Sequence, residues 1–463
     1  MARLLPSPRT ALAVLTGLNL LNYLDRFLPF AVLPALSASL HLSDTRAGLL
    51  QTLFMGSYIL VSPIAGWLGD RRSRFGIAAI GVLIWSAATF GSGLAPAFLA
   101  LALARALTGV GEASYVVVTP SLLSDYYPPE RRGRALAIFY AAIPVGTAAA
   151  YAVGGQVEAH FGWRAAFLIV GGPGALLALA LAAFRDPPRG RYDAKVSKAE
   201  PTVREALREL RARPSFIYNT AAQTIFTFCT GGLAAWMPTY FQRARHLSNA
   251  DATLKFGGLL LLAGFIGTLL GGRAGDALAR RRSDGHFLLS AVTLIATLPF
   301  TLLAILHPSP AIFWPAMFAT LLLMFVNTGP LNAAMANVLP AQLRGRGFGI
   351  NVVAIHLFGD AVSPTAIGAV SDRIGLETPV LVTSLLLVAS GLVLLAGRAA
   401  LRRDLQAAAV MPARAISCAR SRWRRGSRAR RPSWCAATTA PSCRSIRKPA
   451  MSRSARRTTP PAR

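Results

Sequence analysis

Long apolar segments, repeated along most of the chain, restrict this sequence to a membrane-spanning helical fold. An α-helix needs about 20 predominantly apolar residues to cross a bilayer, and twelve segments of that kind can be counted between residues 10 and 400. Hydrophobic residues make up 53% of the 463 positions and charged residues only 15%. Since a bilayer offers no water to unsatisfied backbone groups, we predict an all-α polytopic membrane protein with twelve transmembrane helices.

The charges are distributed as in a membrane protein rather than a nucleic-acid-binding one. The formal net charge is +30, but the arginines before residue 402 cluster in alternate loops, after the apolar segments numbered 2, 4, 6, 8 and 10. By the positive-inside rule these loops are cytoplasmic. We therefore expect an integral protein of the cell (inner) membrane with both termini in the cytoplasm, and no nucleic acid as partner. Arg243, Arg245 and Lys255, between segments 7 and 8, are an exception to the pattern.

No residues are spaced for metal, redox or covalent chemistry. The four cysteines and six histidines are scattered, and no nucleophile lies beside a base in the way that covalent catalysis requires. We therefore expect no enzymatic activity, no metal site and no cofactor.

Two sequence echoes indicate an internal duplication. The pattern G-x-x-G-D-x-x-x-R begins at Gly66 and again at Gly272, and R-G-R begins at Arg132 and again at Arg344. Similar spacing of independent matches is typical of transporters built from two parallel repeats. The sequence predicts two pseudo-symmetric six-helix halves, residues 1–184 and 214–401, joined by a cytoplasmic linker at 185–213.

Charged residues inside two apolar segments are the first functional candidates. Asp25 and Arg26 lie in segment 1, and Arg105 and Glu112 lie in segment 4. Because a charge at membrane depth is costly unless it is paired or faces water, chains that keep one there usually use it. Arg105 and Glu112 are separated by about two helical turns and so share a face. The alternative is a structural ion pair between helices.

A family resemblance follows from these motifs. G-x-L-x-D-R-x-x-R after segment 2, together with R-x-x-x-G-x-G in segment 4, resembles the major facilitator superfamily over residues 10–400. Ser73 and Phe75 depart from the family pattern, so we expect weaker packing of that loop. Within the superfamily, four stretches resemble the spinster lipid transporters: N-Y-L-D-R at 22–26, G-V-G-E-A-S-Y at 109–115, I-F-Y-A-A-I-P-V-G at 138–146 and H-L-F-G-D-A-V-S-P at 356–364.

The resemblance implies a secondary active transporter that works by alternating access. It implies proton coupling through Asp25, Arg26, Arg105 and Glu112, with the proton gradient as energy source. Glu112 is the expected proton carrier and Arg105 its switchable partner. The expected substrates are amphipathic, such as lysophospholipids or sphingoid-like lipids, with Tyr115 beside the tail. We expect the lipid bilayer and this substrate as partners, and a monomeric protein.

Two alternatives remain open from the sequence. The N-Y-L-D-R and G-E-A stretches also resemble the organic anion:cation symporters, as does F-G-W-R-A-A-F at 161–167, and that family would favour proton-coupled symport of sugar acids or carboxylates. A non-transporting receptor or scaffold on the same fold is the alternative from another class.

Two further groups of residues are candidates. His356 and Asp360 lie four apart on segment 11 and share a helical face, so a proton could pass between them; alternatively, both have structural roles. The duplicated loops are the predicted gating motif, in which glycines allow close helix packing and Asp70, by the family resemblance, meets a helix N-terminus. Its members are Gly66, Gly69, Asp70, Arg71, Arg74, Gly272, Gly275, Asp276 and Arg280.

The composition changes after residue 401. Residues 402–463 contain 17 basic residues and one acidic residue, a composition that cannot bury a core. We predict a disordered basic tail, whose Arg, Pro, Ser and Ala content is also what an out-of-frame reading of a GC-rich gene would produce.

Overall fold

The structure is a computed structural model in which residues 4–192, 203–339 and 341–426 are described. Its regular secondary structure is helical. The helices are α1 (Pro8–Ala31), α2 (Leu33–Ser39), α3 (Asp44–Arg71), α4 (Arg74–Gly93), α5 (Phe98–Tyr126), α6 (Pro129–Ala182), α7 (Val203–Arg211), α8 (Pro214–Arg245), α9 (Asn249–Arg281), α10 (Gly285–Leu306), α11 (Pro310–Val326), α12 (Thr328–Val338), α13 (Ala341–Ile355), α14 (Ser363–Ile374) and α15 (Glu377–Gly426). A π-helical turn, His356–Asp360, lies between α13 and α14.

The twelve predicted spans can be recognised in these helices. Nine candidate spans of the described chain are long and apolar enough to cross a membrane. One of them, α6, contains two spans, because the backbone leaves the helical region at Gly162, where φ is 81°. That φ favours glycine, the residue without a Cβ. The two remaining spans are α1, which carries Asp25 and Arg26, and α8, which is rich in hydroxyl and amide groups.

The internal duplication is visible in matched hydrogen bonds. Arg132 donates from Nη2 to the carbonyl of Ser124 at 3.0 Å, and Arg344 donates from Nε to the carbonyl of Ala336 at 2.9 Å. In both cases the arginine donates to a carbonyl eight residues earlier, in the last turn of the preceding helix. The two R-G-R sequences therefore perform the same task in each half, α1–α6 and α8–α15. Together the halves form an all-α fold with twelve membrane spans.

Each half ties the start of its third span to the end of its sixth. In the first half Asp186, just after α6, accepts hydrogen bonds from the backbone N–H of Arg74 (2.7 Å) and Phe75 (3.0 Å) at the start of α4. In the second half the acidic residue lies at the start of the third span instead of after the sixth. Asp284, just before α10, pairs with Arg398 of α15 at 2.7 Å.

The halves meet at the end of the bundle where α3 begins, which we call the Asp44 end. There α3 packs against α14, and α6 packs against α9. Four glycines make these approaches possible, since a Cβ would overlap the opposite half at each of them: Gly48, Gly155, Gly257 and Gly368. The opposite end, where α3 ends, is called the Asp70 end.

The last helix is longer than the predicted half. Disorder is predicted from residue 402, whereas α15 continues as a helix to Gly426. Its first part is rich in leucine, arginine and alanine, which are good helix formers, and Asp404 accepts a hydrogen bond from the backbone N–H of Ser215 at 2.9 Å. The described residues from Met411 to Gly426 belong to a second unit and form helical backbone. Residues 193–202 of the predicted linker and 427–463 of the predicted tail lie outside the described residues.

Candidate transport site

Glu112 forms a buried ion pair with Arg26 between α5 and α1. One carboxylate oxygen, Oε2, accepts hydrogen bonds from Nε (3.0 Å) and Nη2 (2.8 Å) of Arg26. The side chain of Glu112 is fully buried and that of Arg26 is 9% exposed. From the sequence we expected Arg105 to be the partner of Glu112, because the two residues share a helical face. The structure gives that place to Arg26, which reaches across from the neighbouring helix.

Aromatic rings surround the guanidinium of Arg26. Its Cζ lies 5.1 Å from the ring centre of Tyr23, 5.3 Å from that of Phe54 and 5.0 Å from that of Tyr58. Rings at this distance attract a cation through their negative faces. They can therefore hold Arg26 in place even when Glu112 is neutral.

Arg105 is buried without a hydrogen-bond partner. It is 1% exposed, and none of its three guanidinium nitrogens has a hydrogen bond among the described residues. Its Cζ lies 4.7 Å from the centre of the Phe54 ring. A buried guanidinium without hydrogen bonds is costly, and Asp25 and Glu112 interact with this one only electrostatically.

A small cavity between the halves contains Arg105 in its wall. Gln51 of α3 and Trp236 of α8 line it from opposite halves, and Pro364 of α14 closes it toward the Asp44 end. The indole of Trp236 is fixed by a 2.9 Å hydrogen bond from Nε1 to the Pro364 carbonyl. Arg105 therefore lies at the interface between the two halves.

Asp25 points away from this interface. Both of its oxygens accept from the Thr89 hydroxyl of α4, at 2.7 and 2.6 Å, and the residue is 1% exposed. Neighbouring residues on a helix point about 100° apart, which explains why Arg26 faces Glu112 while Asp25 faces α4. Asp25 thus contributes a buried carboxyl group inside the first half.

Tyr115 does not line the cavity as the sequence reasoning expected. It is fully buried, its hydroxyl donates to the Leu15 carbonyl, and its ring packs edge-on against Trp85 at 5.4 Å. Tyr115 lies three residues after Glu112 and therefore on a similar face of α5. At Tyr115, however, this face packs into the core between α1, α4 and α5.

His356 and Asp360 are paired as their spacing predicted. Nδ1 of His356 lies 2.9 Å from Oδ1 of Asp360, with side chains 24% and 17% exposed. The two residues form the first and last positions of the π-helical turn, a distortion that is frequent at functional sites. Asp360 is also within electrostatic range of Tyr23 in the opposite half.

The first predicted gating loop is built as its glycines suggested. A Cβ at Gly69 would approach Val118 of α5 to 2.9 Å, so the close packing of α3 against α5 needs glycine there, and Gly66 is also in contact range of α5. Arg74 pairs with Asp125 at 2.6 Å.

The other charged members of the gating motif do not form a latch. Arg71 stacks on Trp67 at 4.3 Å. Asp70 is exposed, and its carboxylate has no hydrogen bond or ion pair among the described residues. In the second loop Gly275 packs closely on Pro330, Gly272 has open space, and Asp276 and Arg280 are exposed. The predicted contact of Asp70 with a helix N-terminus is therefore absent at the Asp70 end as described.

The Asp44 end carries a latch that the sequence analysis missed. Asp44, at the start of α3, accepts from Arg243 of α8 at 2.6 and 2.8 Å and from Ser371 of α14 at 2.6 Å. Asp372 of α14 caps the same helix start, accepting from the N–H of Asp44 (2.8 Å) and the N–H of Thr45 (2.9 Å). These bonds join the two halves. The one indication of this latch in the sequence was that Arg243 departs from the positive-inside pattern.

A second connection lies beside the latch. Asn249, at the start of α9, donates from Nδ2 to the Ala31 carbonyl at 2.8 Å and to Glu158 of α6 at 3.0 Å. The Asp44 end is therefore closed by polar contacts between the halves, while the gating carboxylates at the Asp70 end are unengaged.

Two six-helix halves, joined by a polar latch at one end and enclosing a buried acid–base cluster, are the architecture of a membrane transporter. The family model of the Major Facilitator Superfamily matches residues 15–364. The chain is 35% identical over 395 residues to protein spinster homolog 1 of Homo sapiens, covering 79% of this chain and 74% of that protein. It is 33% identical over 386 residues to protein spinster homolog 3 of Danio rerio, covering 79% and 77%.

The chain thus belongs to the major facilitator superfamily and, within it, to the spinster-related proteins. The fold agrees with solved structures. A bacterial homolog of the human lysosomal transporter spinster, in an inward-facing and unoccupied conformation, superposes with a TM-score of 0.78 at 24% identity, covering 86% of this chain and 98% of that one. A D-xylose-proton symporter superposes with a TM-score of 0.65 at 17% identity, covering 84% and 96%.

Proposed function

We propose that this protein is a proton-coupled transporter of amphipathic substrates with an anionic head group, such as lysophospholipids. The observation that carries the proposal is the pairing of Glu112 with Arg26 beside Arg105, a buried guanidinium without a partner. One cation is held by a titratable acid, and another is available to an anion.

The charge balance of the cluster supports coupling. With Asp25 and Glu112 charged, the two acids neutralise Arg26 and Arg105. Burial favours the neutral form of a carboxyl group and the ion pair favours the charged form, so the state of Glu112 depends on the distance of Arg26. A proton on Glu112 leaves the cluster with a net charge of +1 and breaks the ion pair, while the aromatic rings keep the guanidinium of Arg26 in place. The two arginines can then bind an anionic head group.

The walls of the site favour a substrate with an apolar part. Phe54 lies beneath both guanidinium groups, and Phe30, Leu33 and Trp236 line the adjoining cavity. These surfaces suit an acyl chain better than a small hydrophilic acid, which would have to desolvate its hydroxyl groups against them.

We place the Asp70 end in the cytoplasm on the positive-inside rule. Both termini would then be cytoplasmic, and the latch at the Asp44 end would close the outer side of the cell membrane. The conformation described here is accordingly an inward-facing one. We propose that the protein acts as a monomer and that the proton gradient is its energy source.

The test is transport by purified protein in liposomes. A fluorescent anionic lysophospholipid and a sugar acid are each offered with and without a pH gradient. We expect the lysophospholipid to be moved, faster with the gradient, and Glu112→Gln to abolish the effect of the gradient. Glu377→Gln, an exposed acid at the start of α15, is the matched control and should behave as wild type.

Two outcomes would overturn parts of this proposal. Normal transport with unchanged pH dependence in both Glu112→Gln and Asp25→Asn would remove proton coupling through these acids. Uptake of the sugar acid but not of the lysophospholipid would favour a symporter of small organic anions.

A further inference from the structure

The amide of Asn22 is buried beside Glu112 and lacks a hydrogen bond. Asn22 lies on α1 one turn before Arg26 and is 0% exposed. Both Oδ1 and Nδ2 are without a hydrogen-bond partner, and so is Oε1 of Glu112. A buried polar atom left unpaired costs about 1–3 kcal/mol. Three such atoms in one place call for an explanation.

The position of Asn22 on α1 explains why these three unpaired atoms lie together. Since residues four apart share a helical face, Asn22 and Arg26 approach Glu112 from the same side of α1. Arg26 occupies Oε2 with two hydrogen bonds, which leaves Oε1 for Asn22. Among the described residues these two side chains are the ones within hydrogen-bonding range of the carboxylate, although Asn22 stops short of full hydrogen-bond geometry in this conformation.

We propose that Asn22 is a positioning residue for the proton carrier, holding Oε1 of Glu112 in both of its protonation states. An amide carries a donor and an acceptor. Nδ2 donates to the charged carboxylate, and after proton uptake the acid's O–H on Oε1 donates to Oδ1. The inference rests on the proposed role of Glu112 as proton carrier.

Other groups around Glu112 serve one protonation state or act at longer range. The titratable and charged side chains that interact with it electrostatically are Tyr23, Asp25 and Arg26 of α1, Tyr58 of α3 and Arg105 of α5. The arginines have no acceptor and stabilise only the charged form. Asp25 is engaged with Thr89.

Asn19 provides a matched control on the same helix. It is 2% exposed, and its Nδ2 donates to the Phe139 carbonyl of α6 at 2.9 Å. Asn19 is therefore an equally buried amide whose hydrogen bond goes to α6, and among the described residues it makes no hydrogen bond to Glu112. A role that is merely structural should make Asn19 and Asn22 behave alike.

The experiment measures the rate of lysophospholipid transport in liposomes between pH 5 and pH 9 for wild type, Asn22→Leu, Asn22→Asp, Asn19→Leu and Glu112→Gln. Leucine has the same number and branching of side-chain heavy atoms and lacks the donor and the acceptor. We expect Asn22→Leu to raise the pH of half-maximal transport by about one unit, equivalent to about 1.4 kcal/mol. Leucine removes the partner of both protonation states, but the hydrogen bond to the charged carboxylate is charge-assisted and therefore the stronger of the two, so the charged form loses more. Asn22→Asp should raise it further, since a second acid disfavours the charge on Glu112. Asn19→Leu should lower thermal stability without moving the midpoint.

The outcomes separate this inference from the proposal beneath it. If Glu112→Gln abolishes the pH dependence but the Asn22 variants keep the wild-type midpoint, Asn22 has no such role and the proton carrier stands. If Glu112→Gln keeps the wild-type pH dependence, the proton carrier itself is misassigned. Should Asn22→Leu fail to fold, Asn22→Asp, which has the same shape, decides by the same midpoint.

Discussion

Removing Arg243 should open the Asp44 end of the transporter. Arg243 makes two charge-assisted hydrogen bonds to Asp44 across the two halves, at 2.6 and 2.8 Å. Such bonds contribute about 1.5–3 kcal/mol when buried, but the Arg243 side chain is 49% exposed, so solvent screening reduces this to about 1–2 kcal/mol. Arg243→Gln should therefore shift the equilibrium toward the state with the Asp44 end open by a factor of about 5 to 30.

Spin labels can measure this shift. In a variant without native cysteines, Ala38→Cys in α2 and Glu377→Cys in α15 place labels at exposed positions of the two halves. Double electron–electron resonance then gives the distance distribution across the Asp44 end. We expect Arg243→Gln to enlarge the population at long distance.

The matched control is Arg245→Gln. Arg245 lies on the same helix and carries the same charge, but it donates to the His307 carbonyl at 2.8 Å within its own half. Its removal should leave the distance distribution unchanged. An unchanged distribution in Arg243→Gln, or equal broadening in both variants, would refute the assignment of the latch to the Asp44 contact.

Three further predictions concern packing and the ties within each half. Burial raises the pKa of Asp284, but hydrogen bonds from Arg398 and Arg282 outweigh it and hold that pKa below its usual value of 3.8. The stabilisation from this carboxylate is therefore fully present above pH 3.8 and is lost as the pH falls through the lower pKa of the folded state. Asp284→Asn should lower Tm at about pH 7, and the difference from wild type should shrink as the pH falls below 3.8. Gly48→Ala puts a methyl group onto the Pro364 carbonyl across the interface and should open the Asp44 end in the spin-label measurement, whereas Gly56→Ala, on the same helix with nothing within 4 Å, should not. Tyr115→Phe should cost about 1 kcal/mol of stability without raising KM for the lysophospholipid, and a raised KM would return Tyr115 to the cavity wall.

The sequence was sufficient to predict the architecture because its signals are periodic or repeated. The apolar segments gave the spans, and the loops at Gly66 and Gly272 gave the two halves. Both signals depend on residue type and spacing, which the chain displays directly. The π-helical turn at His356 was not predicted, since a one-residue change in helical register leaves no trace in composition.

The partners within the site could not be predicted for a different reason. Glu112 has an arginine on its own helix and another on a neighbouring helix, and the choice between them depends on how α1 is rotated against α5. That rotation is set by the packing of many apolar side chains, and the sequence of one helix does not contain it. The same limit applies to Tyr115, whose helical face was known but whose neighbours were not.

The opposite placement of acid and base in the two halves has a consequence for assembly. At the Asp70 end the first half has a cation, Arg74, at the start of its third span and an acid, Asp186, after its sixth. The second half has the acid, Asp284, at the first place and the cations, Arg398 and Arg402, at the second. If a third span were matched with the sixth span of the wrong half, like charges would face each other in both cases, which is unfavourable. Duplicated sequences are prone to exchange equivalent elements while they fold. Because the signs of the charges are reversed between the halves, the correct pairing within each half is attractive and the exchanged pairing is repulsive.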